Sequence, residues 1–368
     1  MAFAPERITI YSAGLLGGSL GLALKNSGFK GTITGLSSPA NLEIAGKLGC
    51  IDEGFSYDSL ENAIKDTDIL FLCSPIGAIL KTINQLSTMS LPEGLLVTDV
   101  GSTKQRIVEA ARTLPPHVHF TGGHPMAGSE KSGPSTSDPY LFQNAIYVLT
   151  PQSGNPEEKE KEFAELLERY LGCRTLFLSP ETHDKIVATV SHVPHLLAVA
   201  LVCLAEKMEI QIPGTLTLAA GSFRDMTRIA SSSYPMWHDI LSTNRSAIEP
   251  LLDSLISILS DIKSGLCRDS LKEYFERSGE VRSRITPSSK GFLRRLSEVL
   301  VHAKDQPGFI AELSGLLAKK NINIKDIEVL KVREGEGGTI RLAFENSDTA
   351  RDAIELLRRN GFSARERT

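Results

Sequence analysis

Length, composition and charge describe a globular protein of two or three domains. The 368 residues are 41% hydrophobic and 23% charged, an ordinary balance for a folded chain. A net charge of −4 argues against a basic surface for nucleic acid or membrane lipid. The five cysteines form no CxxC pair, and the sequence shows neither a signal-peptide pattern nor an apolar run longer than 196–205, so we expect a cytoplasmic protein without structural metal.

The first third of the sequence predicts a dinucleotide-binding fold. A short strand over residues 7–12 runs through a glycine turn into a helical pattern that ends near Lys25. Further strands are expected at 32–36, 68–73, 95–100 and 173–178. Strands that alternate with helices are typical of a doubly wound parallel sheet. A pyrophosphate would bind at the start of the first helix, against Gly14, Leu15, Leu16 and Gly17.

Two positions depart from the dinucleotide fingerprint. Ser12 stands where the first glycine is usual, and a serine can make this turn if its φ is negative, so the fingerprint is weakened but not removed. Ser37 and Ser38 stand where an acidic residue usually binds the ribose of NAD and repels the 2′-phosphate of NADP. Because that repulsion is missing, the sequence predicts that NADP is tolerated or preferred.

Other loops follow the carboxyl ends of predicted strands. Ser102 lies in one of them, and His124 follows a β-like stretch at 118–121. Ligands of open α/β sheets bind beyond these strand ends, so we expect the loops to meet in one cleft. An imidazole titrates near neutral pH, which makes His124 a candidate acid or base, although a glycine-rich turn is the simpler interpretation of this stretch alone. The loop expected to touch the cofactor consists of Ser74, Pro75 and Ile76.

From residue 179 to about 290 the pattern is helical. His192 and His195 lie near one face of a helix, and Pro194 between them predicts a kink or a restart. No carboxylate or cysteine stands at ligand spacing, so we expect no metal there. The apolar run that follows fits a subunit interface as readily as a domain core. Arg224 and Arg228 bracket Asp225. Arginine suits the binding of a carboxylate, although an ordinary surface ion pair between Asp225 and either arginine is the simpler interpretation.

Five blocks of sequence, in this order, resemble the prephenate/arogenate dehydrogenase family. They are GLLGGSL (14–20), DVGSTK (99–104), GGHPMAGSEKSG (122–133), SHVPH (191–195) and GSFRDMTRIA…MW (221–237). The resemblance covers roughly residues 7–290. It implies an NAD- or NADP-dependent enzyme of tyrosine biosynthesis that decarboxylates a cyclohexadienol oxidatively. It also implies a helical dimerisation domain, and hence a homodimer.

The resemblance assigns roles to individual residues. It makes His124 the general base for the C4 hydroxyl, hydrogen-bonded to Ser102, while hydride leaves C4 for the nicotinamide and the ring carboxylate leaves as CO2. It makes Arg228 the residue that holds a substrate carboxylate. The remaining substrate-site residues are Glu130 and Asp225 as partners of that arginine, His195 as a substrate contact, and Trp237 at the entrance from the partner subunit.

The C-terminal residues predict a separate module. The order βαββαβ over residues 296–368 is a ferredoxin-like split unit. The turn after its first strand, formed by Asp305, Gln306, Pro307 and Gly308, resembles that of an ACT domain, a regulatory amino-acid sensor. The resemblance implies that tyrosine binds this turn, or that the module only dimerises. We therefore expect three domains, at 1–178, 179–290 and 296–368.

Several functions remain open on the sequence. One is a prephenate dehydrogenase that forms 4-hydroxyphenylpyruvate under feedback regulation by tyrosine, and another is an arogenate dehydrogenase that forms tyrosine itself. A third is a non-catalytic sensor of NAD(P) and an amino acid. A β-hydroxyacid dehydrogenase would require a lysine on the helical domain, and Arg228 together with His124 argues otherwise.

Overall fold

The structure is a computed structural model, and it describes residues 4–128, 131–266, 271–285, 296–303, 306–333 and 337–367. The chain divides into two compact units, Met1–Tyr274 and Phe275–Thr368. In the first unit a sheet with helices on its faces is followed by a helical segment, and the second unit is an antiparallel sheet with two helices.

Within the described residues the sheet of the first unit has eight strands. They are β1 (Arg7–Tyr11), β2 (Thr32–Leu36), β3 (Glu53–Phe55), β4 (Ile69–Leu72), β5 (Leu96–Asp99), β6 (His119–Pro125), β7 (Ile146–Pro151) and β8 (Arg174–Phe177). The helices between them are α1 (Leu15–Asn26), α2 (Pro39–Lys47), α3 (Leu60–Ile64), α4 (Ile76–Leu86), α5 (Gln105–Ala111) and α6 (Glu158–Leu171). The strand order is β3-β2-β1-β4-β5-β6-β7-β8.

This order confirms the predicted Rossmann-type fold. Strands β4 and β5 are buried at every position because helices cover both faces of the sheet, which explains their continuous apolar sequences. One part of the expectation is wrong: the sheet is not parallel throughout, since β7 runs antiparallel to β6.

His124 lies inside β6, opposite Val148 of β7, and not in a loop after residues 118–121. The glycines before it explain the difference. A methyl group on Gly123 would lie 2.5 Å from the carbonyl oxygen of Asp99, and one on Gly122 would collide with the Thr150 side chain. These glycines permit close packing of neighbouring strands and do not mark a turn.

Ser12 makes the turn before α1 with a φ of +78°, so the turn forms although the condition of a negative φ is not met. Its backbone N–H donates to the Leu36 carbonyl at 2.8 Å, and its own carbonyl accepts from the Gly14 N–H at 2.9 Å. These two bonds hold a serine in the left-handed region, which costs an L-residue about 1–2 kcal/mol. The turn therefore keeps the shape that glycine usually supplies.

The rest of the first unit is helical. Its helices are α7 (Pro180–Val187), α8 (Val193–Gln211), α9 (Gly221–Thr227), α10 (Tyr234–Thr243) and α11 (Arg245–Gly265), while α12 (Leu271–Arg284) spans the point of division. A π-helical turn, Ala188–His192, joins α7 to α8, and Pro194 lies in the first turn of α8. The predicted restart is therefore confirmed, because proline lacks the N–H that an uninterrupted helix needs.

Helix α8 is apolar on every side over residues 196–205, yet only His195 and Ala198 of this helix are buried within one chain. Leu204 and Ile210 are 59% and 77% exposed. By length and composition the segment Pro180–Gln211 could also cross a membrane, a longer stretch than the expected apolar run. An apolar surface left open by its own unit favours the subunit-interface interpretation over the domain core.

The second unit has the predicted order βαββαβ. Its elements are β9 (Ser297–Ala303), α13 (Phe309–Ala318), β10 (Asp326–Arg333), β11 (Gly337–Phe344), α14 (Ser347–Arg359) and β12 (Ala364–Glu366), and its sheet has the order β10-β11-β9-β12. Gln306, Pro307 and Gly308 are exposed between β9 and α13, and Gly308 has a φ of +87°. Asp305 lies outside the described residues.

Candidate active site

A chain of hydrogen bonds links His124 to the helical segment. Its Nδ1 lies 2.8 Å from Nε2 of His183, and Nδ1 of His183 lies 2.8 Å from Oδ1 of Asp184. His183 and Asp184 are both 1% exposed. Sequence reasoning missed this pair, although two adjacent ionisable residues near the start of α7 were the available signal.

Asp184 is bound from two sides. Its Oδ1 accepts the Lys104 N–H at 2.7 Å, and its Oδ2 accepts the Gln105 N–H at 2.9 Å, at the start of α5. The side-chain amide of Asn244 donates to the Asp184 carbonyl at 2.8 Å. The carboxylate therefore ties α7 to the loop after β5, since it satisfies amide groups that begin a helix.

A buried ion pair contacts the backbone of Gly123, the residue before His124. The Lys104 ammonium contacts the Asp99 carboxylate and donates to the Gly123 carbonyl at 2.6 Å, and both charged side chains are fully buried. Asp99 also accepts the N–H groups of Gly101 and Gly123, at 2.7 and 3.1 Å. Burial lowers the pKa of Lys104, while Asp99 opposes that shift. The pair fixes the backbone next to His124.

His124 itself is held neutral. Burial lowers its pKa well below 6.5, and the Lys104 ammonium shifts that pKa in the same direction. A neutral imidazole has a lone pair that can accept a proton, so the site suits a general base at neutral pH.

The hydrogen bond between His124 and Ser102 that the resemblance implies is not formed among the described residues. His183 occupies Nδ1 of His124, so a hydrogen bond from Ser102 would have to be made at Nε2. Ser102 is half-buried in the loop between β5 and α5, two residues before Lys104.

Trp237 contacts two histidines, His195 on α8 and His192 in the π-helical turn. Its ring stacks on His195 at a centroid distance of 3.6 Å and an angle of 11°, and His192 meets the indole edge-on at 5.9 Å. Burial lowers the pKa of His192 to about 4, against the opposing pull of Asp184, and burial also lowers the pKa of His195. All three rings belong to one chain, so Trp237 reaches His195 without a partner subunit.

Arg228 begins a short turn, Arg228–Ser231, that packs against α8. This packing brings the turn next to the helix that carries His195. Arg228 and Asp225 are exposed, and no ion pair joins them within the described ranges. Glu130 lies outside the described residues, so the structure does not describe its expected pairing with Arg228.

The start of α1 fits a dinucleotide. Its first turn has no acidic residue, and among the described residues no side chain caps the helix and no atom lies within 4 Å of a methyl group placed on Gly14. The N–H groups of Leu15 and Leu16 therefore remain available to a pyrophosphate. At the end of β4, buried Oγ of Ser74 has no partner in the part of the chain that the structure describes. Pro75 is exposed and Ile76, which begins α4, is buried.

The residues after β2 are more enclosed. Ser37 is fully buried, with Tyr57 and Asn41 at 3.5 and 3.4 Å from its hydroxyl. The Ser38 hydroxyl accepts the Asn41 N–H at 3.4 Å and caps α2. Both positions are serines, so neither presents a carboxylate.

Substitutions at Gly14 and Gly17 should affect different properties, cofactor binding in the first case and stability in the second. Gly14→Ala adds a methyl group to open space, so we expect an unchanged melting temperature and a raised KM for NAD(P), because the group would meet a bound phosphate. On Gly17 a methyl group would collide with the Ser12 carbonyl and lie 2.8 Å from Ile10, so Gly17→Ala should cost about 1–3 kcal/mol of stability. Thermal melts give the melting temperature of each variant, and cofactor titrations give its KM for NAD(P). If the two variants change both quantities to the same extent, the distinction is refuted.

Comparison with known proteins decides the family. Residues 20–175 match the family described as prephenate dehydrogenase, nucleotide-binding domain, residues 179–277 match the prephenate dehydrogenase dimerization domain, and residues 297–361 match the ACT domain. The prephenate dehydrogenase of Bacillus subtilis (strain 168) is 34% identical over 357 residues, which cover 96% of this chain and 95% of that protein. The chain belongs to the prephenate dehydrogenase family.

Solved structures agree with this assignment. The Aquifex aeolicus prephenate dehydrogenase, in complex with hydroxyphenyl propionate and NAD+, is 32% identical with a TM-score of 0.67, over 77% of this chain and 98% of that one. The Synechocystis arogenate dehydrogenase is 30% identical with a TM-score of 0.65, over 76% and 99%. As a member of this family, the chain is a dehydrogenase that uses NAD or NADP.

Proposed function

We propose that this protein is a prephenate dehydrogenase, which converts prephenate to 4-hydroxyphenylpyruvate in tyrosine biosynthesis. The observation that carries the proposal is the position of His124 near the carboxyl end of β6, since the glycine turn of α1 follows the carboxyl end of β1 in the same set of parallel strands. Near full-length similarity to the Bacillus subtilis enzyme supports the same substrate.

In the proposed site each residue has a defined task. His124 takes the proton of the C4 hydroxyl, which raises the electron density at C4. Arg228 binds a carboxylate of the substrate, assisted by Glu130 and Asp225. Ser102 orients the reacting groups at Nε2 of His124. His195 and Trp237 form a wall of the pocket, and their stacked rings exclude water from it.

The turn of α1 would hold the cofactor pyrophosphate, and residues 74–76 would border the nicotinamide. The nicotinamide, when bound, accepts the hydride from C4. Ser37 and Ser38 present no carboxylate to repel a 2′-phosphate, so we propose that NADP is tolerated or preferred.

Arogenate is the second candidate substrate, because the Synechocystis neighbour is an arogenate dehydrogenase. It differs from prephenate only in carrying an amino group in place of the side-chain keto group. The test is a set of initial-rate assays at 340 nm that crosses both substrates with both cofactors. We expect the higher kcat/KM with prephenate, and a higher value with arogenate would reverse the assignment. Strict use of NAD would contradict NADP tolerance, and no absorbance change with either substrate would contradict the proposed function.

We also propose that tyrosine binds the turn Asp305–Gly308 and inhibits the enzyme. The exposed residues 306–308 at the start of α13 support this, because no side chain of the described residues caps this helix. Tyrosine should lower the rate at saturating substrate and raise the melting temperature, since a ligand stabilises the state it binds. Inhibition that disappears at saturating substrate would indicate the active site instead. If neither rate nor melting temperature changes, the domain only dimerises.

The remaining proposals concern organisation. We place the domains at 1–178, 179–290 and 296–368, and the subunit interface on the exposed apolar surface of α8. A homodimer should elute at twice the 40.0 kDa of one chain. Enzymes of this kind use small soluble substrates, which supports a cytoplasmic location.

A further inference from the structure

We propose that Asp184 and His183 are positioning residues that hold His124 in one tautomer, with the proton on Nδ1 and a free lone pair on Nε2. The inference rests on the proposed function, because it explains how His124 is prepared as the base. Neither residue was selected by the motifs, and neither needs to touch the substrate.

Both carboxylate oxygens of Asp184 act as acceptors. Oδ1 accepts the Lys104 N–H and Oδ2 accepts the Gln105 N–H. An ionised carboxylate has lone pairs but no hydrogen, so it can accept further hydrogen bonds and cannot donate one. The ring nitrogen of His183 that lies 2.8 Å from Oδ1 must therefore donate a hydrogen bond as well.

The proton on Nδ1 of His183 determines what its other nitrogen does. In a neutral imidazole only one nitrogen carries hydrogen, so Nε2 of His183 presents a lone pair. Nδ1 of His124 lies 2.8 Å from that lone pair and must supply the proton between them. Nε2 of His124 is then unprotonated, which is the form that a general base needs.

A charged His183 would reverse the direction of the hydrogen bond between the two histidines. Its Nε2–H would donate to Nδ1 of His124, and the proton of His124 would then lie on Nε2. The proposed tautomer has His183 as a neutral ring. His183 is 1% exposed, and the Asp184 carboxylate beside it also accepts two backbone amides. On the other side Asn244 fills the space between Asp184 and His192, with its amide 3.2 Å from Nδ1 of His192.

Two substitutions at His183 separate positioning from packing. His183→Phe keeps a buried ring but removes the acceptor, so we expect kcat to fall about 10²-fold with little change in KM for the cofactor. His183→Gln can place an amide oxygen near the former Nε2 and should retain most of kcat. Equal losses of kcat in the two folded variants, or full kcat in His183→Phe, would overturn the proposal. Melting temperatures of both variants show whether each is folded.

The tautomer can be observed directly by 15N NMR of the enzyme labelled at histidine, with His124→Gln used to assign the signals. In the wild type at neutral pH we expect a protonated Nδ1 and an unprotonated Nε2 for His124, and in His183→Phe a shift of the proton towards Nε2. A wild-type His124 protonated on Nε2 would overturn the proposal. This spectrum needs no substrate, so inactivity towards prephenate and arogenate would refute the proposed function without deciding the tautomer.

Discussion

Replacing His124 with alanine should lower kcat by about 10²–10⁴-fold, the usual contribution of a general base. The pKa of His124 is held below 6.5 by burial, so the base is already neutral at pH 7. In the wild type kcat/KM should therefore stay level through neutral pH and fall only as the pH drops through that lowered pKa and His124 becomes protonated. The measurements are steady-state kinetics of wild type and variant from pH 5 to 8.

Arg228→Ala is the matched comparison for His124→Ala. Arg228 is proposed to bind the substrate carboxylate and not to move a proton, so its loss should chiefly raise KM for the substrate. His124→Ala should leave the KM of the cofactor nearly unchanged, since His124 is not part of the α1 turn. Near-full kcat in His124→Ala would refute the assignment of the base, and an unchanged KM in Arg228→Ala would refute the carboxylate role.

Replacing Lys104 with methionine should lower the free energy of unfolding by about 3–5 kcal/mol, because it leaves the Asp99 charge buried without its partner. Both side chains of the pair are fully buried, so no water can replace the lost ammonium. The Gly123 carbonyl would lose its donor as well. Urea unfolding followed by far-UV circular dichroism measures the change.

The double variant Asp99→Asn with Lys104→Met tests whether the buried charge of Asp99 causes this loss of stability. It removes both charges but keeps a side-chain oxygen for the backbone N–H groups of Gly101 and Gly123. We expect it to be more stable than Lys104→Met alone, with a coupling energy that identifies the buried charge as the source of the loss. If the double variant is no more stable than the single one, the loss comes from packing instead.

The sequence by itself determined the features that depend on local pattern. Alternating apolar strands and helices identified the nucleotide fold, the turn at Gly14 identified the start of α1, and the order βαββαβ identified the second unit. His124 could be selected because an imidazole among glycines is chemically distinctive, and five ordered blocks made the family recognisable. Each of these signals lies within a few neighbouring residues, and none requires knowledge of what the chain brings together in space.

Only the tertiary structure decided how the site is assembled. His124 and His183 are 59 residues apart in sequence, and Lys104 and Asp184 are 80 apart, so no local pattern pairs them. The glycines around His124 suggested a turn, yet they permit close strand packing, since a glycine sequence is equally compatible with both. The positive φ of Ser12 depends on hydrogen bonds to Leu36 and Gly14. The fold therefore follows from periodicity, whereas proton positions at His124 depend on contacts that exist only after the sheet and α7 have packed together.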